Sequence, residues 1–155
     1  MKNKRTELKV SAIRNGTVID HIPSDVVYQV FGILSLDKTS NQVYLGTNLE
    51  SKKYGKKGII KISNQYFEDE EISKVALVAP MATLIEIKDY EVTRKEEVHL
   101  PEKVAKVVKC INPKCVTNNQ KVPTTFTVTE DHNGEMKLFC KYCEKTMAQQ
   151  NIEFI

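Results

Sequence analysis

The chain of 155 residues contains no tryptophan and no cysteine before position 110. It has no apolar run near the roughly 18 residues that span a bilayer. No hydrophobic signal core follows the basic start Met1-Lys2-Asn3-Lys4-Arg5, so export is not indicated and a cytoplasmic location without a membrane partner is expected. An excess of one charge is also missing. Basic residues number 23 and acidic residues 20, a formal +3, which excludes the strongly basic footprint of a general nucleic-acid binder. There is no internal repeat and no low-complexity tract. Phosphate-loop, Gly-x-Gly-x-x-Gly, Gly-x-Ser-x-Gly and His-Glu-x-x-His motifs are absent, so the commonest catalytic signatures are not available. Apolar residues make up 41%, enough for a core and against wholesale disorder.

What the chain does have is a sharp asymmetry. Cys110, Cys115, Cys140 and Cys143 all fall in the last third. A segment of about fifty residues rarely holds together by apolar burial alone, and metals or disulfides usually help. Charge does not divide the chain: residues 1–103 carry 16 basic and 15 acidic residues, and 104–155 carry 7 and 5. Two domains are expected, over 1–97 and 98–155.

In the first, Leu8, Val10 and Ala12 alternate with polar residues at strand period. Asn15-Gly16 signals a turn, and Thr17-Val18-Ile19 resumes extended chain. Val26, Val27, Val30, Phe31 and Leu34 predict a helix over 25–35 capped by Ser24 or Asp25. Val43 and Leu45 mark a strand and Ile59 to Ile62 another, with a basic loop over 52–58 between them. Asp69, Glu70 and Glu71 open a second helix at the end where its dipole favours acids. Ile72, Val75, Ala76 and Ala79 form the buried stripe of that helix, and Pro80 ends it. Thr83, Ile85 and Ile87 alternate as a last strand that Tyr90 and Val92 extend, and 93–103 reads as a polar connector. The order β-α-β-β-α-β predicts an α+β, ferredoxin-like domain with one antiparallel sheet and both helices on one face. A small, β-rich, zinc-ribbon (rubredoxin-like) domain is expected to follow.

Cys110-x4-Cys115 and Cys140-x2-Cys143 have the spacing of two knuckles gripping one tetrahedral ion. Asn112 and Pro113 stiffen the first knuckle, and Lys114 and Lys141 soften the charge of four thiolates. Zinc suits this donor set, and iron with four thiolates is separated from it poorly by sequence. Two structural disulfides need an oxidising compartment, for which nothing in the sequence argues. Cys140-Lys141-Tyr142-Cys143 as a redox pair lacks the preceding βαβ pattern. His132 sits in Glu130-Asp131-His132-Asn133-Gly134, a hairpin turn rather than a ligand position. Phe126, Phe139, Tyr142 and Phe154 read as the small core.

Asp20-His21, an acid beside an imidazole at a strand end, suggests a catalytic dyad only superficially, because adjacent strand residues point to opposite faces. Lys57, Ile59 and Lys61 share the face opposite Ile60 and Ile62. Two lysines on one sheet face suit phosphates, and Lys95, expected just past the last strand, would join them. A solvated polar face is the plainer reading of the same pattern.

The blocks Gly16-Thr17-Val18-Ile19-Asp20-His21-Ile22-Pro23, Gly58-Ile59-Ile60-Lys61-Ile62, Ala79-Pro80-x-Ala82-Thr83, Asp89-Tyr90-Glu91-Val92, Leu100-Pro101-Glu102 and the cysteine quartet occur in this order. Together they closely resemble the aspartate carbamoyltransferase regulatory-chain family, from about Leu8 to Lys145. The resemblance implies a chain that is not itself an enzyme. Its first domain would bind CTP, ATP and UTP as effectors. Its second would hold one structural Zn2+ on the four cysteines and dock on the catalytic chain. The implied assembly is two catalytic trimers joined by three regulatory dimers, controlling pyrimidine biosynthesis.

By the same resemblance, Asp20 contacts ribose, His21 lies near the phosphates, Lys95 is the phosphate lysine, and Lys61 senses ribose and base. Lys57 is a neighbouring basic position. Val10, Ser11, Ala12 and Ile13 read the base edge through their backbone, while Val18, Tyr90 and Val92 line the pocket. Asn112 contacts the catalytic chain. The sequence departs from the family at Ile85, where an Asn is usual, at Glu86, where an Arg is usual, and at Ser11, where an acid is usual. A zinc-ribbon nucleic-acid binder is the alternative, and with only +2 on the ribbon it lacks a basic stripe.

Overall fold

The computed structural model describes residues 12–52 and 55–155. The expected strand over Leu8 to Ala12, with the candidate residues Val10 and Ser11, lies almost wholly outside them. Strand β1 (Gly16–Ile22) is followed by a single 3-10 turn (Ser24–Val26) and helix α1 (Val27–Ile33). Then come β2 (Val43–Ser51), β3 (Gly55–Ser63), helix α2 (Asp69–Val78), β4 (Thr83–Lys88) and β5 (Glu91–Glu97). These strands form one antiparallel sheet in the order β2-β3-β1-β4-β5. Its first four strands have the crossing pattern of the split βαβ arrangement expected from the sequence.

Three local expectations are corrected. The basic loop is shorter than 52–58, because β2 runs to Ser51 and β3 starts at Gly55, placing Lys56 and Lys57 in a strand. The fourth strand does not run on through Tyr90 and Val92. Asp89 and Tyr90 both take positive φ (49° and 68°), the conformation of a two-residue hairpin turn whose twist matches paired strands. The chain therefore folds back as β5, and residues 91–97 are an edge strand rather than a connector. Its polar composition reflects exposure at the sheet edge. The first helix is also shorter than 25–35, and neither Ser24 nor Asp25 caps it by a side chain. The Ser24 hydroxyl instead accepts the Asn48 N–H at 3.2 Å.

The core lies between the sheet and its two helices. Ile19, Ile60, Ile62 and Leu84 from the sheet meet Val27, Val30, Ile72, Val75 and Ala76 from the helices. Gly58 permits the close approach of α1: a Cβ there would lie 1.9 Å from Val27 Cγ2. Helix α2 begins with a reciprocal cap between Glu68 and Glu71, its acids at the positive end of the helix dipole.

A second sheet follows in the order β6 (Lys103–Ala105), β7 (Thr125–Glu130), β8 (Met136–Cys140) and β9 (Thr146–Ala148). The one-turn helix α3 (Val116–Asn119) follows Cys115. Val108, Phe126, Met136, Leu138 and Met147 make its small core, which also takes in Leu77 from α2. Phe139 is only half-buried and Tyr142 is 42% exposed, so of the four aromatics read as core only Phe126 is fully enclosed. Phe154 packs against both cores. His132 is exposed in the β7–β8 turn, as expected.

Candidate functional site

The four cysteine sulfurs converge. All lie within 4.8 Å of one another, with Cys110 and Cys115 from the first knuckle and Cys140 and Cys143 from the β8–β9 turn. Cys110 Sγ is 3.7 Å from Cys143 Sγ, and Cys115 Sγ is 3.8 Å from Cys140 Sγ. A tetrahedron with metal–sulfur bonds of about 2.3 Å has an edge of about 3.8 Å. A disulfide would bring two sulfurs to about 2.05 Å. The donor set thus fits one closed, four-thiolate zinc site, in which the metal crosslinks the two halves of the small fold and leaves no position for a substrate.

Hydrogen bonds prearrange both knuckles. The Asn112 carboxamide oxygen accepts the Lys114 N–H at 3.0 Å, and the Asn112 carbonyl accepts the Cys115 N–H at 3.0 Å. Asn118 Nδ2 donates to the carbonyls of Cys110 and Asn112 at 2.9 and 2.7 Å. The Thr117 hydroxyl donates to Cys115 Sγ at 3.2 Å. In the second knuckle, the Cys140 N–H meets the Lys145 carbonyl and the Glu144 N–H the Cys140 carbonyl, with Glu144 at φ 62°.

Without a cation, four crowded thiols divide their ionisation. Burial pushes Cys110 up to about 12 and also raises Cys140. At Cys143 burial acts upward too, but hydrogen bonds from the Lys145 backbone and the Asn112 side chain outweigh it and bring the thiol down to about 7. Burial is likewise outweighed at Cys115 by hydrogen bonds from Thr117. A divalent ion removes the conflict by accepting all four thiolates. Thr117 and Asn118 escaped the sequence reading. Their signal was the polar Thr-Asn-Asn run that starts two residues after the ligand Cys115.

The second constellation lies on the sheet face turned away from the helices. Paired residues on neighbouring strands share a face. The register Lys61↔Val18, Val18↔Ile85 and Ile85↔Lys95 therefore sets these four in one row across four strands. Val18 is buried, Lys61 and Ile85 are half-buried, and Lys95 is exposed. Val92 pairs with Ile87 on the same face, and the Tyr90 N–H donates to the Arg14 carbonyl at 2.9 Å, which ties the hairpin turn to the segment just after Ala12 and Ile13. Ala12 and Ile13 themselves line a cleft with Tyr44 and Asn64. Tyr90 and Val92 are 68% and 59% exposed.

The strand end of β1 departs from the sequence expectation. A bulge between Ile19 and Ile22 puts His21 at φ 58°, so Asp20 and His21 do not follow simple strand alternation. The Asp20 carboxylate accepts the His21 N–H at 2.7 Å and pairs with Lys57 Nζ at 2.7 Å. The His21 ring nitrogen Nδ1 is 3.1 Å from the Thr83 hydroxyl. A cleft of about 400 Å³ opens beside it, lined by His21, Pro23, Ser24, Lys56 and Met81 among others. The sequence reading places Thr83 in a strand and Lys56 in the basic loop but takes neither as a site residue. Thr83 meets His21 only because β1 and β4 are neighbours.

The family description "Aspartate carbamoyltransferase regulatory chain, allosteric domain" matches residues 8–99, and "Aspartate carbamoyltransferase regulatory chain, metal binding domain" matches residues 102–153. The chain belongs to the aspartate carbamoyltransferase regulatory-chain family. The chain is 46% identical over 155 residues to the aspartate carbamoyltransferase regulatory chain of Phocaeicola vulgatus, covering 100% of this chain and 99% of the relative. It is likewise 46% identical to that of Bacteroides fragilis, with both chains covered in full. The Vibrio vulnificus regulatory chain is 44% identical over 148 residues, 96% of each chain. The metal-binding description falls on the segment in which the four sulfurs meet, so the cysteine quartet is the metal centre of this family member.

Proposed function

We propose that this chain is a non-catalytic regulatory subunit that binds nucleotide effectors on the open sheet face and docks on an aspartate carbamoyltransferase catalytic chain through its metal module. The supporting observation is the row Lys61–Val18–Ile85–Lys95, with Asp20 and His21 farther along β1 and Lys57 farther along β3. Lysines flank an apolar floor, an arrangement that suits a flat base over Val18 with polyphosphate against the ammonium groups. Asp20 would take the ribose and His21 and Lys95 the phosphates. Backbone groups of residues 10–13 would read the base edge, with Tyr90 and Val92 closing that end. Main-chain readout accommodates CTP, UTP and ATP in one site.

In this reading the chain divides into a nucleotide-binding domain, 1–97, and a metal domain, 98–155. The metal domain presents the first knuckle, including Asn112, to the catalytic chain. The assembly is two catalytic trimers joined by three regulatory dimers, in the cytoplasm, serving pyrimidine biosynthesis. An effector shifts activity only by its differential affinity for the two quaternary states, and couplings of this kind run about 1–3 kcal/mol. No helix among the described residues is long and apolar enough to cross a membrane.

The test is copurification with a catalytic chain, followed by assays of carbamoyl transfer with CTP, ATP and UTP. Nucleotide-dependent activity of the complex, with none from this chain alone, supports the reading. Turnover by the isolated chain, or failure to bind any nucleotide, sinks it.

A further inference from the structure

Among the described residues, helix α2 is the one helix or strand that contributes buried residues to both cores. Val75, Ala76 and Val78 face the first sheet, whereas Leu77, 1% exposed, belongs to the core of the metal module. The same residue carries a directional contact: Gln149 Nε2, from the turn after β9, donates to the Leu77 carbonyl at 2.9 Å. That carbonyl lies in the last turn of α2, where the helix itself supplies no partner. Gln149 therefore caps α2 from the other module. Apolar packing by Leu77, Leu100 and Phe154 is non-directional and tolerates sliding. The hydrogen bond adds an angular constraint. Clefts of about 160 and 300 Å³ open along this seam, the first beside Leu77 and Val104, the second between Met81 and Gln149.

The other end of α2 is tied as well. Arg94 of β5 pairs across the sheet with Glu86 on the face toward the helices, and its guanidinium reaches Asp69, the first residue of α2, at 3.4 Å. It also contacts Glu96 and, at 3.8 Å, Glu86. The next residue of the same strand is Lys95, on the opposite face. Six residues beyond Leu77 is Thr83, whose hydroxyl meets His21.

We infer that α2 acts as a rod between the open sheet face and the metal module, and that Gln149 is the positioning residue at its output end. This rests on the proposed regulatory function. A ligand that draws on Lys95 or His21 displaces β5 or the 79–83 segment, α2 turns with them, and the Gln149–Leu77 bond hands that turn to the metal module.

The experiment uses the reconstituted complex of this chain with its catalytic partner, carrying Gln149, Gln149→Leu, Gln149→Lys or Gln149→Glu. Zinc content, size by gel filtration, CTP and ATP affinity by calorimetry, and the nucleotide-induced change in activity are measured for each. Gln149→Leu is expected to keep zinc, assembly and nucleotide affinity but to lose the nucleotide response. Gln149→Lys, which retains a donor that suits a helix C-terminus, is expected to restore it. Gln149→Glu, which turns a negative charge toward the same carbonyl, is expected to lose it. A full response from the Leu and Glu variants overturns the inference. So does loss of zinc or assembly in all three, since Gln149 would then be a structural strut. If the unsubstituted complex itself answers to no nucleotide, the regulatory reading fails.

Discussion

Lys57 Nζ and Asp20 Oδ1 lie 2.7 Å apart, with only 20% and 17% of the two side chains exposed. The pair joins β3 to the bulged end of β1, and the same carboxylate oxygen holds the His21 backbone at φ 58°. A strained backbone position persists where its surroundings over-determine it. Here those surroundings are a half-enclosed ion pair and a threonine from the next strand.

Substituting Lys57 by alanine leaves the Asp20 carboxylate half-enclosed without its cation. A loss of about 1–3 kcal/mol of stability is expected. A urea unfolding midpoint lower than the parent's, with an unchanged slope, is the result that checks it. An unaltered midpoint would show that the pair contributes nothing.

Lys95→Ala is expected to weaken CTP and ATP together, since the lysine addresses phosphate and not base. Losing one charge-assisted contact of about 1.5–3 kcal/mol corresponds to roughly 10- to 150-fold in affinity. Titration calorimetry on the purified variant decides this, and undiminished binding of either nucleotide contradicts it.

Cys115→Ser removes a ligand whose sulfur is fully buried and packed 3.8 Å from Cys140. The variant is expected to lose zinc, to melt the second core and to fail in assembly with a catalytic chain. Elemental analysis and gel filtration report on both. An intact complex at one zinc per regulatory chain is the contrary outcome.

Metal occupancy should fall as pH falls. Every sulfur must shed its proton to bind the ion, so protons compete with zinc and affinity rises with pH until all four are thiolate. Zinc release followed with a chromogenic chelator during stepwise acidification tests the sign. Release that increases toward alkaline pH would contradict a thiolate site.

Gly58→Ala is expected to destabilise the first domain by about 1–3 kcal/mol, the usual penalty of overpacking. The added methyl would lie 1.9 Å from Val27 Cγ2, and α1 has to move away from β3 to admit it. A lower thermal midpoint with zinc content unchanged is the expected pair of readings.

Much of this molecule is legible along the chain because its signals are local. Alternation of Thr83, Ile85 and Ile87, the acids that open α2 and the spacing of four cysteines each act within a few residues, so composition and period suffice. Lys61, Val18 and Lys95 could be nominated by type and by resemblance, yet their alignment depends on a strand order that no local pattern encodes. The fold-back at Asp89-Tyr90 was missed because neither residue is glycine, the usual marker of positive φ. Its reward comes only from pairing with β4. The contact of His21 with Thr83 and of Gln149 with Leu77 spans 62 and 72 positions. Such contacts arise from the packing of strands and modules, which only the assembled tertiary structure decides.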